Sequence, residues 1–163
     1  MDGSVTALRA YVGIGANLGR RERTIHRAIE LLGELEGVDV VAVSSLRETA
    51  PWGLVEQPAF VNGAIELETD LEPQDLLEAL LGLERRLGRR RDAPTAEQWG
   101  PRVIDLDLLL YGDRVVDGPG LRVPHPHLHE RRFALEPLAE LAPEAVVPDR
   151  GTVSELLAAL ETT

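Results

Sequence analysis

Residues 103–111, VIDLDLLLY, form an apolar run that contains two aspartates two positions apart. The run predicts a β-strand, and side chains alternate between the two faces of a strand. Asp105 and Asp107 are therefore expected on one face, while Leu106 points into the core. Two neighbouring carboxylates repel each other unless a cation joins them. This segment thus predicts a core strand, and its two carboxylates either hold a cation or simply face water.

The segments before this strand alternate in periodicity and give the order β-α-β-β-α-β. The expected elements are strands at 8–14, 38–46, 60–69 and 103–111, with helices at 20–36 and 73–87. This order is typical of the split βαβ, ferredoxin-like arrangement. We expect an α+β fold in which a four-stranded antiparallel sheet carries two helices on one face and gathers its loops at the ends.

The segments after the core predict short strands, an irregular stretch and two more helices. Short strands are expected near 115–116 and 121–123, and 124–129 is expected to be irregular because of its prolines. A helix is expected over about 130–141. Thr152 and Glu155 form a capping box before a last helix at 156–160. With 163 residues, the chain is expected to be one domain, 1–163.

Composition excludes several kinds of chemistry. The chain has no Cys and no Lys, which excludes disulfides, thiolate catalysis, Cys-ligated zinc, a P-loop lysine and a Schiff-base lysine. A net charge of −11 argues against general binding to nucleic acid or to anionic membranes. No apolar run is long enough to span a bilayer, and the N-terminus lacks a signal-peptide pattern. A cytoplasmic location is expected.

The basic residues are unevenly distributed. Nine acids and no Arg fall between residues 48 and 84, and six Arg then fall within 85–102. Guanidinium groups bind phosphate oxygens bidentately, so the Arg patch suits a small anion, although a salt-bridged helix end would have the same composition. Mg²⁺ is bound by one or two carboxylates together with substrate phosphates. The Asp pair and the Arg patch together favour phosphoryl-type transfer.

The aromatic residues allow two interpretations, and so do the histidines. Both Trp and both Phe of the chain either pack in the core or form a stacking slot for a planar ring; they are Trp52, Phe60, Trp99 and Phe133. Three alternate histidines follow Pro124, at positions 125, 127 and 129. A zinc site there is disfavoured, because the prolines disturb strand geometry, and His125 is favoured as a donor to a phosphate.

Several motifs occur in the order of one known family. They are YVGIGANLG at 11–19, ETAPWG at 48–53, QPAFVN at 57–62, LGRRR at 87–91, WGPRVIDLDLLLYG at 99–112 and VPHPHLHERRF at 123–133. With these motifs, the sequence resembles the 6-hydroxymethyl-7,8-dihydropterin pyrophosphokinase (HPPK) family over roughly residues 10–157. WGPRxxDLD is the most specific of the motifs.

The resemblance implies pyrophosphoryl transfer from ATP to the hydroxymethyl oxygen of the pterin, with AMP as the other product, in folate biosynthesis. It implies two Mg²⁺ ions held by Asp105 and Asp107. The implied catalytic residues are Arg91, Arg102, Asp105 and Asp107. The implied ATP-binding residues are Glu84, Arg89, Arg91, Arg102, Leu108, His125 and Arg131. The implied pterin-binding residues are Thr49, Ala50, Trp52, Phe60, Asn62, Trp99 and Phe133.

The resemblance also implies a monomer that acts on small molecules, with in-line attack on the β-phosphorus. The Gly/Pro-rich, polar composition of 49–59 and 89–101 predicts loops that close on the ligands. Asp105 is the nearest candidate to accept a proton. Three alternatives remain: another Mg²⁺-dependent nucleotide transferase with a different acceptor, a ferredoxin-like binding domain without catalysis, and an RNA-binding domain. The last of these is disfavoured, because an RNA-binding sheet face needs basic and aromatic residues.

Overall fold

The computed structural model describes residues 8–16, 21–49, 60–87 and 104–161. Its strands are β1 (Leu8–Ala16), β2 (Val38–Val43), β3 (Arg47–Thr49), β4 (Phe60–Thr69), β5 (Asp105–Tyr111), β6 (Val116–Gly118), β7 (Leu121–Val123), β8 (Val146–Val147) and β9 (Gly151–Thr152). Its α-helices are α1 (Arg21–Gly33), α2 (Pro73–Arg86), α3 (Arg132–Leu141) and α4 (Val153–Glu161), and a 3₁₀ helix spans Leu128–Glu130.

The main sheet has the strand order β2-β4-β1-β5, and every pairing in it is antiparallel. Strand β3 adds a fifth member by pairing with β4. The four longer strands and the two helices between them reproduce the β-α-β-β-α-β order, so the ferredoxin-like prediction is confirmed. Strands β6 and β7 form one small hairpin, and β8 and β9 form another.

The sheet separates two apolar clusters. One cluster joins alternate residues of the sheet to α1 and α2, and it includes the fully buried Ile25, Leu32 and Leu80. The other cluster joins Tyr11, Leu109 and Leu110 to residues of α3 and α4. Both faces of the sheet are therefore covered, as a sheet with apolar residues on both faces requires. No helix in the described ranges is long and apolar enough to cross a membrane.

Helix α1 is shorter than predicted. It ends at Gly33, and the next two amides, at positions 34 and 35, donate to carbonyls three residues back. Such bonds tighten and end a helix. Gly37 follows with φ +83°, and a Cβ there would lie 2.8 Å from an Asp70 carboxylate oxygen. The chain therefore reverses at Gly37 because only glycine fits that conformation at low cost.

The strand predicted at 38–46 ends at Val43, because the side-chain oxygen of Ser44 takes the place of a backbone acceptor in the pairing with β4. The Ser44 N–H donates to the Ala64 carbonyl at 2.9 Å, and the Ala64 N–H donates to Ser44 Oγ at 2.8 Å. Pairing with β4 then resumes as β3, where Arg47 lies opposite Asn62. The loop was predicted at 49–59, and this start is one residue too early because Thr49 still belongs to β3 and pairs with Phe60.

The segment 124–129 is more regular than its prolines suggested. The N–H of Leu128 donates to the His125 carbonyl at 3.1 Å, and the N–H of Glu130 donates to the His127 carbonyl at 3.0 Å. These donors belong to residues other than proline, so a 3₁₀ turn forms despite Pro124 and Pro126. Helix α3 then begins at Arg132, two residues after the predicted start.

The predicted capping box before the last helix is confirmed. The Glu155 N–H donates to Thr152 Oγ1 at 3.1 Å, and the Thr152 N–H donates to Glu155 Oε1 at 2.9 Å. The helix begins at Val153, three residues before the predicted start, because the capping residue lies directly before it.

The substitution Thr152→Ala removes the side-chain acceptor of this capping box. We expect it to lower the free energy of unfolding by about 1 kcal/mol, a typical value for loss of an N-cap. Urea denaturation followed by circular dichroism measures this loss. Ser154→Ala, at an exposed position in the same turn, is the control and should change stability less. Equal effects of the two substitutions would contradict the capping role.

Candidate functional site

Two glycines on β1 lie opposite the two aspartates on β5. Gly13 pairs with Asp107, and Gly15 pairs with Asp105. Paired residues of antiparallel strands project on the same face, so the carboxylates lie beside backbone that has no side chains. An open cavity of about 860 Å³ lies over this part of the sheet, and all four residues line it. The predicted common face of Asp105 and Asp107 is confirmed.

Gly15 also makes room for a residue of the next strand. Asn62 on β4 pairs with Gly15, and a Cβ on Gly15 would lie 2.7 Å from Asn62 Oδ1. Real Cβ atoms do not approach a polar oxygen this closely, so glycine is needed for the amide to keep its position. Asn62 lines the same cavity as the carboxylates.

The cavity brings together six of the residues predicted to bind substrates or metal. From the sheet come Asn62 and the two aspartates, and from the segment around the 3₁₀ helix and α3 come the other three. The six are Asn62, Asp105, Asp107, His125, Arg131 and Phe133. Residues separated by up to 71 positions in the chain are thus brought to one opening.

A second cavity of about 570 Å³ adjoins the first. Asp107 and His125 line both cavities, so these two side chains mark the border between them. Glu84 and Leu108, predicted as ATP-binding residues, line the second cavity. Its remaining walls include Leu77, Leu81, Leu121, Arg122 and Pro126. The second cavity is therefore a partly apolar slot that leads to one of the two carboxylates.

Glu84 holds the strand between the two aspartates. Its side chain is 3% exposed, and Oε2 accepts a hydrogen bond from the Leu106 N–H at 2.7 Å. Among the described strands, β5 is the outermost one beside β1, and this carboxylate supplies an acceptor on the side where none of those strands pairs. This hydrogen bond joins helix α2 to the segment that carries Asp105 and Asp107, and it therefore fixes the position of the two aspartates at the cavity.

His125 is held as a neutral ring that donates from Nε2. Its Nδ1 accepts a hydrogen bond from the His127 N–H at 3.2 Å, which places the proton of a neutral ring on Nε2. Burial, then the positive charge of Arg131 and that of His127, lowers the pKa of His125 to about 4. The ring is therefore uncharged near neutral pH.

Arg131 and His125 direct donors at the same space. Arg131 Nη1 lies 3.5 Å from His125 Nε2. With His125 Nδ1 accepting from the His127 N–H, a neutral ring carries its hydrogen on Nε2, so both atoms are donors. The guanidinium also lies over the Phe133 ring, 5.6 Å from its centroid, which steadies it by a cation–π interaction. Two donors directed at one space favour an anion there. This corner of the cavity therefore suits a phosphate oxygen.

The other two histidines pair with an acid instead of converging on a metal. His127 Nδ1 lies 3.1 Å from Glu130 Oε1, and His129 Nε2 lies 3.4 Å from Glu130 Oε2. Among the described residues, no group of three or more His, Cys, Asp or Glu side chains is placed to hold a metal ion.

Several predicted site residues lie outside the described part of the chain. They are Ala50, Trp52, Arg89, Arg91, Trp99 and Arg102, and the same holds for most of the two predicted loops. Thr49 and Phe60 are described in their backbone, where they pair across β3 and β4.

Several residues that line the cavity were not predicted from the sequence. Gly13 and Gly15 are the main examples, and their alternation in YVGIGA was the available signal, since glycine in a strand interior marks a close approach. Arg132 and Glu136 on α3 also line the cavity. Their helical spacing is visible in the sequence, but their proximity to the aspartates is not.

Comparison with protein families and curated proteins gives one consistent result. A family model for 7,8-dihydro-6-hydroxymethylpterin-pyrophosphokinase (HPPK) matches residues 11–143. A Pseudomonas aeruginosa protein named 2-amino-4-hydroxy-6-hydroxymethyldihydropteridine pyrophosphokinase is 46% identical over 93% of this chain and 91% of its own length. A Methylorubrum extorquens protein of the same name is 43% identical over 94% of each chain.

Solved structures give the same fold at low identity. A crystal structure of HPPK-DHPS in complex with substrates has a TM-score of 0.75 at 12% identity, over 95% of this chain and 43% of that one. Wild-type Plasmodium falciparum HPPK-DHPS with pteroate has a TM-score of 0.75 at 13% identity, over 96% and 45%. This chain spans less than half of those chains, and at such identities the likeness shows the fold alone.

The lowered pKa of His125 predicts a pH dependence of stability. Between about pH 6.5 and pH 4 the unfolded histidine binds a proton that the folded one excludes, so the free energy of unfolding falls as pH falls through this range. His125→Gln removes this contribution, so the variant should lose less stability than the wild type between pH 7 and pH 4.5.

Urea midpoints at four pH values measure this difference. The exposed His26 on α1 provides the control, because His26→Gln should leave the pH dependence close to that of the wild type. A His125→Gln profile parallel to the wild-type profile would contradict the burial of an uncharged ring.

Proposed function

The chain belongs to the 7,8-dihydro-6-hydroxymethylpterin-pyrophosphokinase family, and from this premise we propose that its two adjoining cavities perform the family reaction. The enzyme transfers the pyrophosphoryl group of ATP to the hydroxymethyl oxygen of 6-hydroxymethyl-7,8-dihydropterin, a step of folate biosynthesis. The observation that best supports this proposal is the position of Asp107, which lines both cavities.

We place the pterin in the larger cavity. Asn62 offers both a donor and an acceptor, as the edge of a heterocycle requires, and Phe133 offers an aromatic surface. The resemblance adds Thr49 and Ala50 to the pterin edge, and Trp52, Phe60 and Trp99 to the aromatic enclosure. The pterin hydroxymethyl group would then be directed toward the aspartates.

We place the nucleoside of ATP in the smaller cavity. Leu81, Leu108 and Pro126 give it apolar walls that suit a purine, and its border with the larger cavity holds Asp107 and His125. The triphosphate would pass this border, where the donors of His125 and Arg131 converge. The resemblance adds Arg89, Arg91 and Arg102 as further contacts to the phosphates, with Arg91 and Arg102 as the stronger candidates.

The Asp pair fits Mg²⁺. Both side chains offer hard oxygen ligands on one face of a strand, beside two glycines that line the same cavity. We propose that Asp105 and Asp107 hold two Mg²⁺ ions. Bound Mg²⁺ neutralises phosphate charge and makes phosphorus more electrophilic. Glu84 supports this site indirectly, by fixing the strand between the two ligands.

The chemical step is an in-line displacement. The pterin oxygen forms a bond to the β-phosphorus, and the bond from that phosphorus to the oxygen bridging the α and β positions breaks, so AMP leaves with the electron pair. The pterin hydroxyl loses its proton in the same step. We assign Asp105 as the acceptor of this proton, because it lines the pterin cavity alone, whereas Asp107 also faces the nucleotide.

We further propose that residues 1–163 form one domain that acts as a monomer in the cytoplasm. Its partners in this proposal are the two small-molecule substrates, with no role for nucleic acid. The net charge of −11 supports this, because it repels polyanions while the local arginines attract a nucleotide.

The direct test incubates the protein with ATP, Mg²⁺ and 6-hydroxymethyl-7,8-dihydropterin and separates the nucleotides by chromatography. AMP should form only when the pterin is present. ADP in place of AMP would indicate single phosphoryl transfer. AMP formation with a different acceptor, but not with the pterin, would favour another nucleotide transferase. No turnover with any acceptor would favour a binding domain.

Substitution of a single carboxylate tests the metal assignment. Asp107→Asn keeps the size of the side chain but removes its charge, so we expect kcat to fall about 100-fold or more. Binding of Mn²⁺ in the presence of a non-hydrolysable ATP analogue, measured by electron paramagnetic resonance, should weaken in parallel.

The matched control is Asp39→Asn, an exposed aspartate on the opposite edge strand β2. Its activity and Mn²⁺ binding should equal those of the wild type. Unchanged turnover of a folded Asp107→Asn variant would remove Asp107 from the metal site.

A further inference from the structure

Glu140, near the end of α3, forms a cluster of hydrogen bonds with the connection between β2 and β3. Its Oε2 accepts from the Ser45 N–H at 2.9 Å, and its Oε1 accepts from Ser45 Oγ at 2.7 Å. Arg47 Nη2 donates to the same Oε1 at 3.0 Å. The hydrogen bonds from Ser45 keep the pKa of Glu140 below its usual value, as expected for a carboxylate that is ionised when the contacts form.

The cluster extends to the wall of the larger cavity. Arg47 Nη1 lies 3.8 Å from Glu136 Oε1, and Arg132 Nη1 lies 3.7 Å from Glu136 Oε2. Both Arg132 and Glu136 line the cavity, and Phe133 lies between them on the same helix. A chain of alternating charges therefore runs from the β2–β3 connection along α3 to the opening.

The same cluster also reaches the strand that carries Asn62, through β3. Arg47 pairs in register with Asn62, and Thr49, two residues later, ends β3 opposite Phe60. The contacts of Glu140 thus join the strand beside Asn62 to the helix that carries Phe133. Both side chains line the cavity in which we place the pterin, although they are 71 residues apart in the chain.

We propose that Glu140 is a positioning residue for the pterin: by holding Ser45 and Arg47 against α3, it sets the distance between the strand wall and the helix wall of the pterin cavity. This inference rests on the proposed function of that cavity. Glu140 itself does not line either cavity, so it acts through the residues it holds.

The nucleotide side is independent of this cluster. The second cavity is lined by residues of α2, β5, the β6–β7 hairpin and the segment before the 3₁₀ helix. Neither Ser45 nor Arg47 lines this second cavity. Its residue Glu84 accepts a hydrogen bond from the Leu106 N–H and has no contact with the Glu140 cluster among those described above. Loss of the Glu140 contacts should therefore affect the two substrates unequally.

Glu140→Gln is the sharpest substitution. All three contacts are donors to the carboxylate, and glutamine replaces one of its oxygens by an NH₂ group that can only donate. One donor of Ser45 or Arg47 then faces another donor, although the side chain keeps its size. Ser45→Ala is the milder variant, since it removes the hydroxyl bond and leaves the backbone bond and Arg47 in place.

The experiment measures KM for each substrate at saturating concentration of the other, and Kd for the pterin by fluorescence titration with a non-hydrolysable ATP analogue present. In Glu140→Gln, KM and Kd for the pterin should rise about tenfold, as expected for misplacement of binding groups, while KM for ATP stays within about twofold. Ser45→Ala should show the same inequality to a smaller degree. Glu144→Gln, an exposed acid just beyond α3, should leave all three constants unchanged.

Two results would overturn the inference in an active enzyme. Unchanged pterin constants in Glu140→Gln would show that the contacts do not set the cavity, and an equal rise of both KM values would show general loosening. If Glu140→Gln does not fold, the same criteria apply to Ser45→Ala. A wild-type protein that forms no AMP from ATP and the pterin would instead refute the proposed function.

Discussion

The antiparallel register between β1 and β5 is the constraint on which the site depends. It places Gly13 opposite Asp107 and Gly15 opposite Asp105, so that the central strand contributes no side chains where the edge strand contributes two charges. A side chain at either glycine would fill the space that the carboxylates face. Asn62 depends on the same register, because its amide occupies the position that a Cβ on Gly15 would need.

The C-terminal helices decide which part of this sheet face stays open. Farther along β5, Leu109 and Leu110 are buried with α3 and α4, whereas Asp105 and Asp107 at the start of the strand line the cavity. One strand therefore serves as core at one end and as binding surface at the other. The opposite face is buried throughout by α1 and α2, which gives the sheet a rigid support. A rigid support matters because positioning and charge carry most of a phosphoryl transfer.

Hydrogen bonds away from the cavities complete the site by fixing backbone. Glu84 holds Leu106 between the aspartates, Glu140 holds Ser45 before β3, and the His127 amide fixes the ring of His125. In each case a side-chain atom accepts a backbone N–H, where the backbone ladder offers no partner. Such bonds satisfy buried or edge donors and, at the same time, orient the residues beside them. The charges of the site are therefore separated. The negative carboxylates lie on the sheet, and the hydrogen-bond donors of His125 and Arg131 lie on the segment that follows it.

The sequence by itself determined the order of the elements, the common face of Asp105 and Asp107, and the capping box at Thr152, because each depends on periodicity or on spacing within a few residues. The motifs also identified six residues that do meet in one cavity. Tertiary structure alone decided the break between β2 and β3, the cover that α3 gives to the second face, and the contacts of Glu84 and Glu140. Those features join residues 20 to 95 positions apart. Local propensity carries no information about such pairs, because the register and packing that bring them together arise only when the whole sheet has formed.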